Sequence, residues 1–294
     1  MIPSEKERII SEDYADLIIE YNEDISVFEQ FPDSTVQIIN SILAFVHVPV
    51  SFITQDIIYR MGYSVMPTCF GIISESSLEA SGVFRLRNIP VFNLRGQGVI
   101  IGIIDTGVDY TNPILQYADN TTRIVTIWDQ TIVSDNPPLN MAYGTEYTRE
   151  QINEALQNED PLSVVPSHDD NGHGTMLAGI SGGNQVAESN FFGVAPDVEF
   201  AVVKLKPAKK YLRDFFFISH DAVCFQETDI FQGMSYLFDL SIRLGRPMVI
   251  CVAIGSSVSY DVGFKDVHMP CPLPYPATHG QQSHKIRGRF VLQY

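Results

Sequence analysis

Two short segments place chemically capable side chains in frames that could use them. Asp105-Thr106-Gly107 follows the apolar run Val99 to Ile104, so a carboxylate stands at the end of a buried strand. A group held there by rigid backbone between apolar walls suits orienting and stabilising a histidine; equally, an Asp after a strand is often a helix N-cap. The second segment, Asn171-Gly172-His173-Gly174-Thr175, sets an imidazole between two glycines and opens a run of small residues through Ala178, Gly179 and Ser181. Glycines there let backbone and reactant approach closely, so with Asp105 already placed His173 reads as catalytic rather than structural. His168, beside Asp169 and Asp170, could suggest a metal pair; the intervening Asp-Asp-Asn-Gly reads as a turn and favours a solvated histidine.

The elements that must carry these groups follow from local pattern. A continuous apolar run from Val99 to Ile104 fits a strand buried on both faces, as do Phe200 to Val203 and Met248 to Ile254. Thr148-x-x-Gln151 is a capping box ahead of Ile152, Ala155 and Leu156. From Asp229 to Leu244 apolar residues recur at helical spacing, and Gly245 stands where a helix ends. This alternation predicts an α/β fold, an open parallel sheet with helices on both faces. Ahead of it, residues 1–95 read as a compact α+β unit. Its expected strands are Ala15 to Tyr21, Leu43 to Val48 and Tyr63 to Ile73, with a helix from Val50 to Met61 closed by Gly62.

Composition narrows the function. Of 294 residues, 45% are hydrophobic and 18% charged, enough apolar material for a core. The net charge of −16 repels phosphate backbones, so nucleic acid is not an expected partner. No apolar run is long enough to span a bilayer, and no basic flank precedes an apolar segment at the start, so no membrane span or export signal is expected. Cys69, Cys224, Cys251 and Cys271 are scattered, nothing selects a pairing, and buried or idle thiols are the expectation. Residues 256–294 break character, with four Lys and Arg against two acids and a Pro-rich stretch from Pro270 to Pro276. They read as a tail foreign to the preceding 96–255 region; an extended Pro-rich arm is the alternative.

Ile103-Ile104-Asp105-Thr106-Gly107-Val108-Asp109 and Asn171-Gly172-His173-Gly174-Thr175-x-x-Ala178-Gly179 resemble the Asp and His signatures of subtilisin-like serine peptidases. Phe192-Gly193-Val194-Ala195-Pro196 resembles that family's G-V-A-P segment, and Val252-Ala253-Ile254-Gly255 its substrate-cleft strand, with Ala253 where a serine is usual. The long Asp105–His173 interval, carrying Arg123 to Gln130 and Tyr143 to Thr148, and the opening Ser11 to Leu17 resemble the clostridial branch that includes the Csp germination proteases.

The resemblance implies a subtilisin-like sheet preceded by a prodomain that chaperones the catalytic domain. It implies endopeptidase chemistry on peptide or protein substrates: Asp105 orients His173, and His173 deprotonates a serine whose attack is helped by an oxyanion hole. Ala253, Ile254 and Gly255 would pair with substrate backbone strand to strand. No cofactor is expected; the resemblance allows calcium, but no residue set marks a site. The place of the protein stays open between the cytoplasm and the spore of a Gram-positive bacterium; the resemblance to the Csp branch implies a role in spore germination.

The nucleophile departs from the pattern. After Gly255 the serines are Ser256, Ser257, Ser259 and Ser283, none in the family's Gly-Thr-Ser frame, and no asparagine follows Asn190 to serve the oxyanion. The expectation is a chain cut short near residue 256, inactive by itself, and poorly soluble for want of later strands. A pseudoprotease that binds or signals is the alternative, against which the retained Asp105 and His173 count. An aspartic protease built on Asp105-Thr106-Gly107 would need a second such triplet and a β-rich fold, and the sequence offers neither.

Overall fold

The computed structural model describes residues 5–54, 57–72, 94–184 and 192–255; the expected tail at 256–294 lies outside them. Helix α1 (Glu5–Ile10) leads into β1 (Tyr14–Glu20), β2 (Thr35–Ile38) and β3 (Leu43–Pro49), an antiparallel sheet in the order β1-β3-β2. Leu17 faces Val46 across the β1–β3 pair and Asp16 faces His47. Side chains alternate sides along a strand, so these pairs point opposite ways, yet all four residues are buried.

The helix expected over Val50–Met61 is interrupted. A 3₁₀ turn at Val50–Phe52 precedes a short α2 (Ile57–Met61), because Pro49 and the β-branched Val50, Ile53 and Thr54 disfavour an unbroken helix. The strand expected from Tyr63 begins late: Tyr63–Val65 is a 3₁₀ turn, Pro67 follows, and β4 covers Cys69–Ile72. Nor does this region close a core by itself. Leu17, Val46, Val48, Met66 and Cys69 pack in one apolar cluster with Tyr211, Leu212 and Cys224 from far along the chain.

The larger sheet uses β5 (Ile100–Asp105), β6 (Ile124–Asp129), β7 (Thr145–Thr148), β8 (Glu199–Lys204) and β10 (Met248–Cys251). Its order is β10-β5-β8-β6-β7, parallel except for the β6–β7 pair. Between these strands run α3 (Arg149–Leu156), α4 (His173–Gly182), α5 (Lys210–Phe215), β9 (Cys224–Gln226) and α6 (Glu227–Leu244). Thr148 and Gln151 make the capping box of α3, and Gly245 ends α6 at φ 61°.

All six residues of β5 are buried, and its alternate side chains serve two cores. Ile100 and Ile104 meet Met234 and Leu237 of α6, whereas Ile101 and Ile103 meet Ala178 of α4 and Ile152 of α3. Helices thus cover both faces, as the apolar runs require. Among the described residues no helix is long and apolar enough to cross a membrane.

The strand expected from Met248 to Ile254 divides. β10 stops at Cys251, and Ile254–Gly255 forms β11 in a different, three-stranded sheet ordered β11-β4-β9. Val249 on the outer strand β10 is exposed.

Candidate active site

Asp105 is the last residue of β5, its backbone in register with Lys204 of β8, and its side chain is wholly buried. His173 opens α4 just after Gly172, whose φ of 86° is a left-handed conformation that favours glycine. The two side chains meet: His173 Nδ1 lies 2.8 Å from Asp105 Oδ1, which also accepts the Thr106 backbone N–H at 2.8 Å. Facing a carboxylate, Nδ1 carries the proton, so proton exchange with a reactant runs through Nε2. Burial raises the Asp105 carboxyl above its ordinary value, with the His173 and Thr106 hydrogen bonds pulling the other way. A carboxylate short of solvation stabilises a cation placed against it, the condition an imidazolium needs.

Sequence reasoning missed the group that joins the two motifs. Asp169, read there as part of a turn, accepts from Thr106 Oγ1 at 2.8 Å and from the Gly172 N–H at 2.9 Å. Its other oxygen accepts from the Thr175 N–H and hydroxyl. Burial would raise this carboxyl, but the donors from Thr175, Thr106 and Gly172 outweigh it and hold it below the ordinary range. Thr106 Oγ1 in turn accepts from the Gly174 N–H at 3.0 Å. The available signal was the position of Asp169 four residues before His173, where a carboxylate can reach the first turn of a helix. His168 is exposed, and its ring contacts the Pro166 carbonyl and Asp170.

The second glycine of the Gly-His-Gly motif acts through contact. A Cβ on Gly174 would collide with the Gly107 carbonyl oxygen and stand 3.3 Å from Asp105 Cβ. Gly174→Ala is therefore expected to push α4 from the β5 loop and destabilise the fold by about 1–3 kcal/mol, as overpacking does. Urea unfolding measures it; an unchanged midpoint would show that the loops absorb the methyl group.

Ala253, Ile254 and Gly255 lie beyond the same carboxyl edge, since Cys251 pairs with Ile103. Ile254 pairs with Ile72 and Gly255 with Gly71, antiparallel, while Ala253 sits at the half-buried junction of the two sheets. On its other side β4 pairs with β9, Cys69 against Gln226 and Gly71 against Cys224. A strand of the N-terminal region thus fills the slot between two strands of the larger domain.

A second polar centre fastens the same region. Asp16 Oδ1 contacts His47 Nδ1 at 2.6 Å and Lys209 Nζ at 2.8 Å, and Oδ2 accepts from Gln226 Nε2 at 2.5 Å. All four residues are at most 2% exposed. Burial favours a neutral Asp16, but the Lys209 ammonium and His47 outweigh it and hold the carboxyl far below its ordinary range.

No group of three or more His, Cys, Asp or Glu side chains converges as a metal site among the described residues.

Comparison with known proteins places the chain beside a peptidase family and beside solved structures. The family model of the subtilases, peptidase S8, matches residues 96–268. Among solved structures, the chain is similar to one described as the structure of the Clostridium perfringens CspB protease, at 32% identity and a TM-score of 0.47. The match covers 58% of this chain and 32% of that one, so this chain spans about a third of that protein's length. No curated protein matches.

Proposed function

Because the chain belongs to the subtilase family of serine peptidases, we propose that Asp105 and His173 are the acid–base half of a peptide-hydrolysing site. The observation that carries this reading is the 2.8 Å contact between them at the carboxyl edge of a parallel sheet. Asp105 holds the imidazole by Nδ1 and stabilises its cation. His173 Nε2 takes the proton of an attacking serine hydroxyl and returns it to the leaving amine. Ile254 and Gly255 offer backbone to an extended peptide, and the pairing of β4 there supports reading residues 1–95 as a prodomain whose own strand covers the cleft.

The serine and the oxyanion asparagine have no counterpart in the required frame within these 294 residues. Reading the DNA beyond codon 256 in all three frames tests the proposal. An out-of-frame Gly-Thr-Ser run, whose restoration yields a peptidase lost again in Asp105→Ala and His173→Ala, is expected. Absence of such a run would favour a binding protein that retains the fold. The narrower Csp-like role in spore germination rests on the insert and the opening segment. Delayed germination after deletion of the locus is its expected result, and unchanged germination would contradict it.

A further inference from the structure

We propose that Cys69 and Cys224 form an oxidisable thiol pair that, on reaction with a hydroperoxide, becomes a disulfide tying β4 covalently to β9. Cys69 lies on the N-terminal region's strand and Cys224 on a strand of the larger domain, two register positions apart on adjacent antiparallel strands. Positions so related point to the same face of a sheet. Both residues sit in one apolar cluster, 7% and 5% exposed, as free thiols hydrogen-bonded to each other.

The residue directly opposite Cys224 is Gly71. A Cβ there would meet nothing closer than the Val223 carbonyl oxygen at 3.6 Å, so the glycine leaves its corner of that face open beside Cys224. Diagonal Cα atoms are typically about 7–8 Å apart, slightly beyond the ordinary disulfide range, so a small shear of β4 along β9 accompanies closure.

The two thiols are unequal. The hydrogen bond from Cys69 brings the Cys224 thiol down to about 7, with burial opposing and the Arg213 guanidinium helping. The same contact, with burial, pushes Cys69 up. Cys224 is therefore the nucleophile. Its thiolate attacks one peroxide oxygen, the O–O bond breaks, and a sulfenic acid and hydroxide form. The Cys69 sulfur then attacks the sulfenic sulfur, forming the S–S bond and expelling the hydroxyl as water once the Cys69 proton is transferred. Two thiols and one hydrogen peroxide give one disulfide and two waters, the sulfurs losing two electrons to oxygen. That the bond would lock a cleft rests on the peptidase reading; the bond itself does not.

The test treats the native full chain with hydrogen peroxide and maps unreduced peptides by mass spectrometry. The expected product is a Cys69–Cys224 peptide pair lighter by two hydrogens, formed faster as pH rises through about 7 and released by a thiol reductant. Cys69→Ser is expected to leave Cys224 as a sulfenic acid trapped by a cyclic dione, and Cys224→Ser to leave Cys69 unmodified. Predominant linkage to Cys251 or Cys271, first modification at Cys69, or equal yield from urea-unfolded chain would each overturn the proposal. His173→Ala is expected to cross-link like the parent, so failure of the peptidase reading and failure of the thiol pair are told apart.

Discussion

The 294-residue polypeptide is expected to leave a serine-directed fluorophosphonate unreacted and to hydrolyse peptides at background rate. The residues of a catalytic triad act as a unit, and loss of the nucleophile alone costs ~10⁶-fold in turnover. Asp105 and His173 stand in contact, but within these 294 residues no serine stands in the family's Gly-Thr-Ser frame for His173 to activate. Intact-mass analysis after probe treatment reads the outcome directly. An unshifted mass is the expected result; stoichiometric labelling of a chain ending at Tyr294 would mean that a serine outside the family frame serves as nucleophile.

The second large effect concerns the fastening of the N-terminal region. Asp16→Ala would leave Lys209 and His47 facing one another in a dry site without their anion. Removing one partner of a buried ion pair typically costs about 3–5 kcal/mol. The loss is expected to appear first as faster amide exchange in β1 and β3, and an exchange pattern like that of the parent would contradict it.

The pH dependence has a definite sign. Asp16 is held below its unfolded value against burial, chiefly by Lys209 and then His47, with Lys206 adding attraction. Its contribution is therefore present above the ordinary carboxylate range and is lost as pH falls below it. Lys209 is itself lowered, by burial first, with Asp16 opposing; the ionised pair is the state that the three donors around Asp16 favour. Acid is expected to loosen β1 and β3 in the parent, and Asp16→Asn to flatten that slope. A parent whose β1–β3 exchange is unchanged by acid would contradict the sign.

Local pattern revealed what local physics decides. The buried run of β5 marks Asp105 because a strand covered on both faces needs apolar residues throughout, and Gly245 marks the end of α6 because a left-handed cap favours glycine. Pairing between distant segments leaves no such trace. Nothing near Cys69 indicates that its strand lies between residues 224–226 and 254–255. Nor does anything in the strand runs of β1 and β3 indicate that Asp16 and His47 are buried by side chains from the α5 and β9 region. Asp169 reads as a turn because its partners, Thr106 and the first turn of α4, come together only once the sheet forms.

The central claim, that the Asp105 carboxylate grips the His173 Nδ1 proton, is open to one direct measurement. Proton NMR of the folded chain should show two hydrogen-bonded imidazole protons far downfield of the amides, from the His173–Asp105 and His47–Asp16 contacts. In Asp105→Ala the His173 signal should vanish while that of His47 persists. A His173 signal unmoved by that substitution, or absent from the folded parent while that of His47 is seen, would contradict the account.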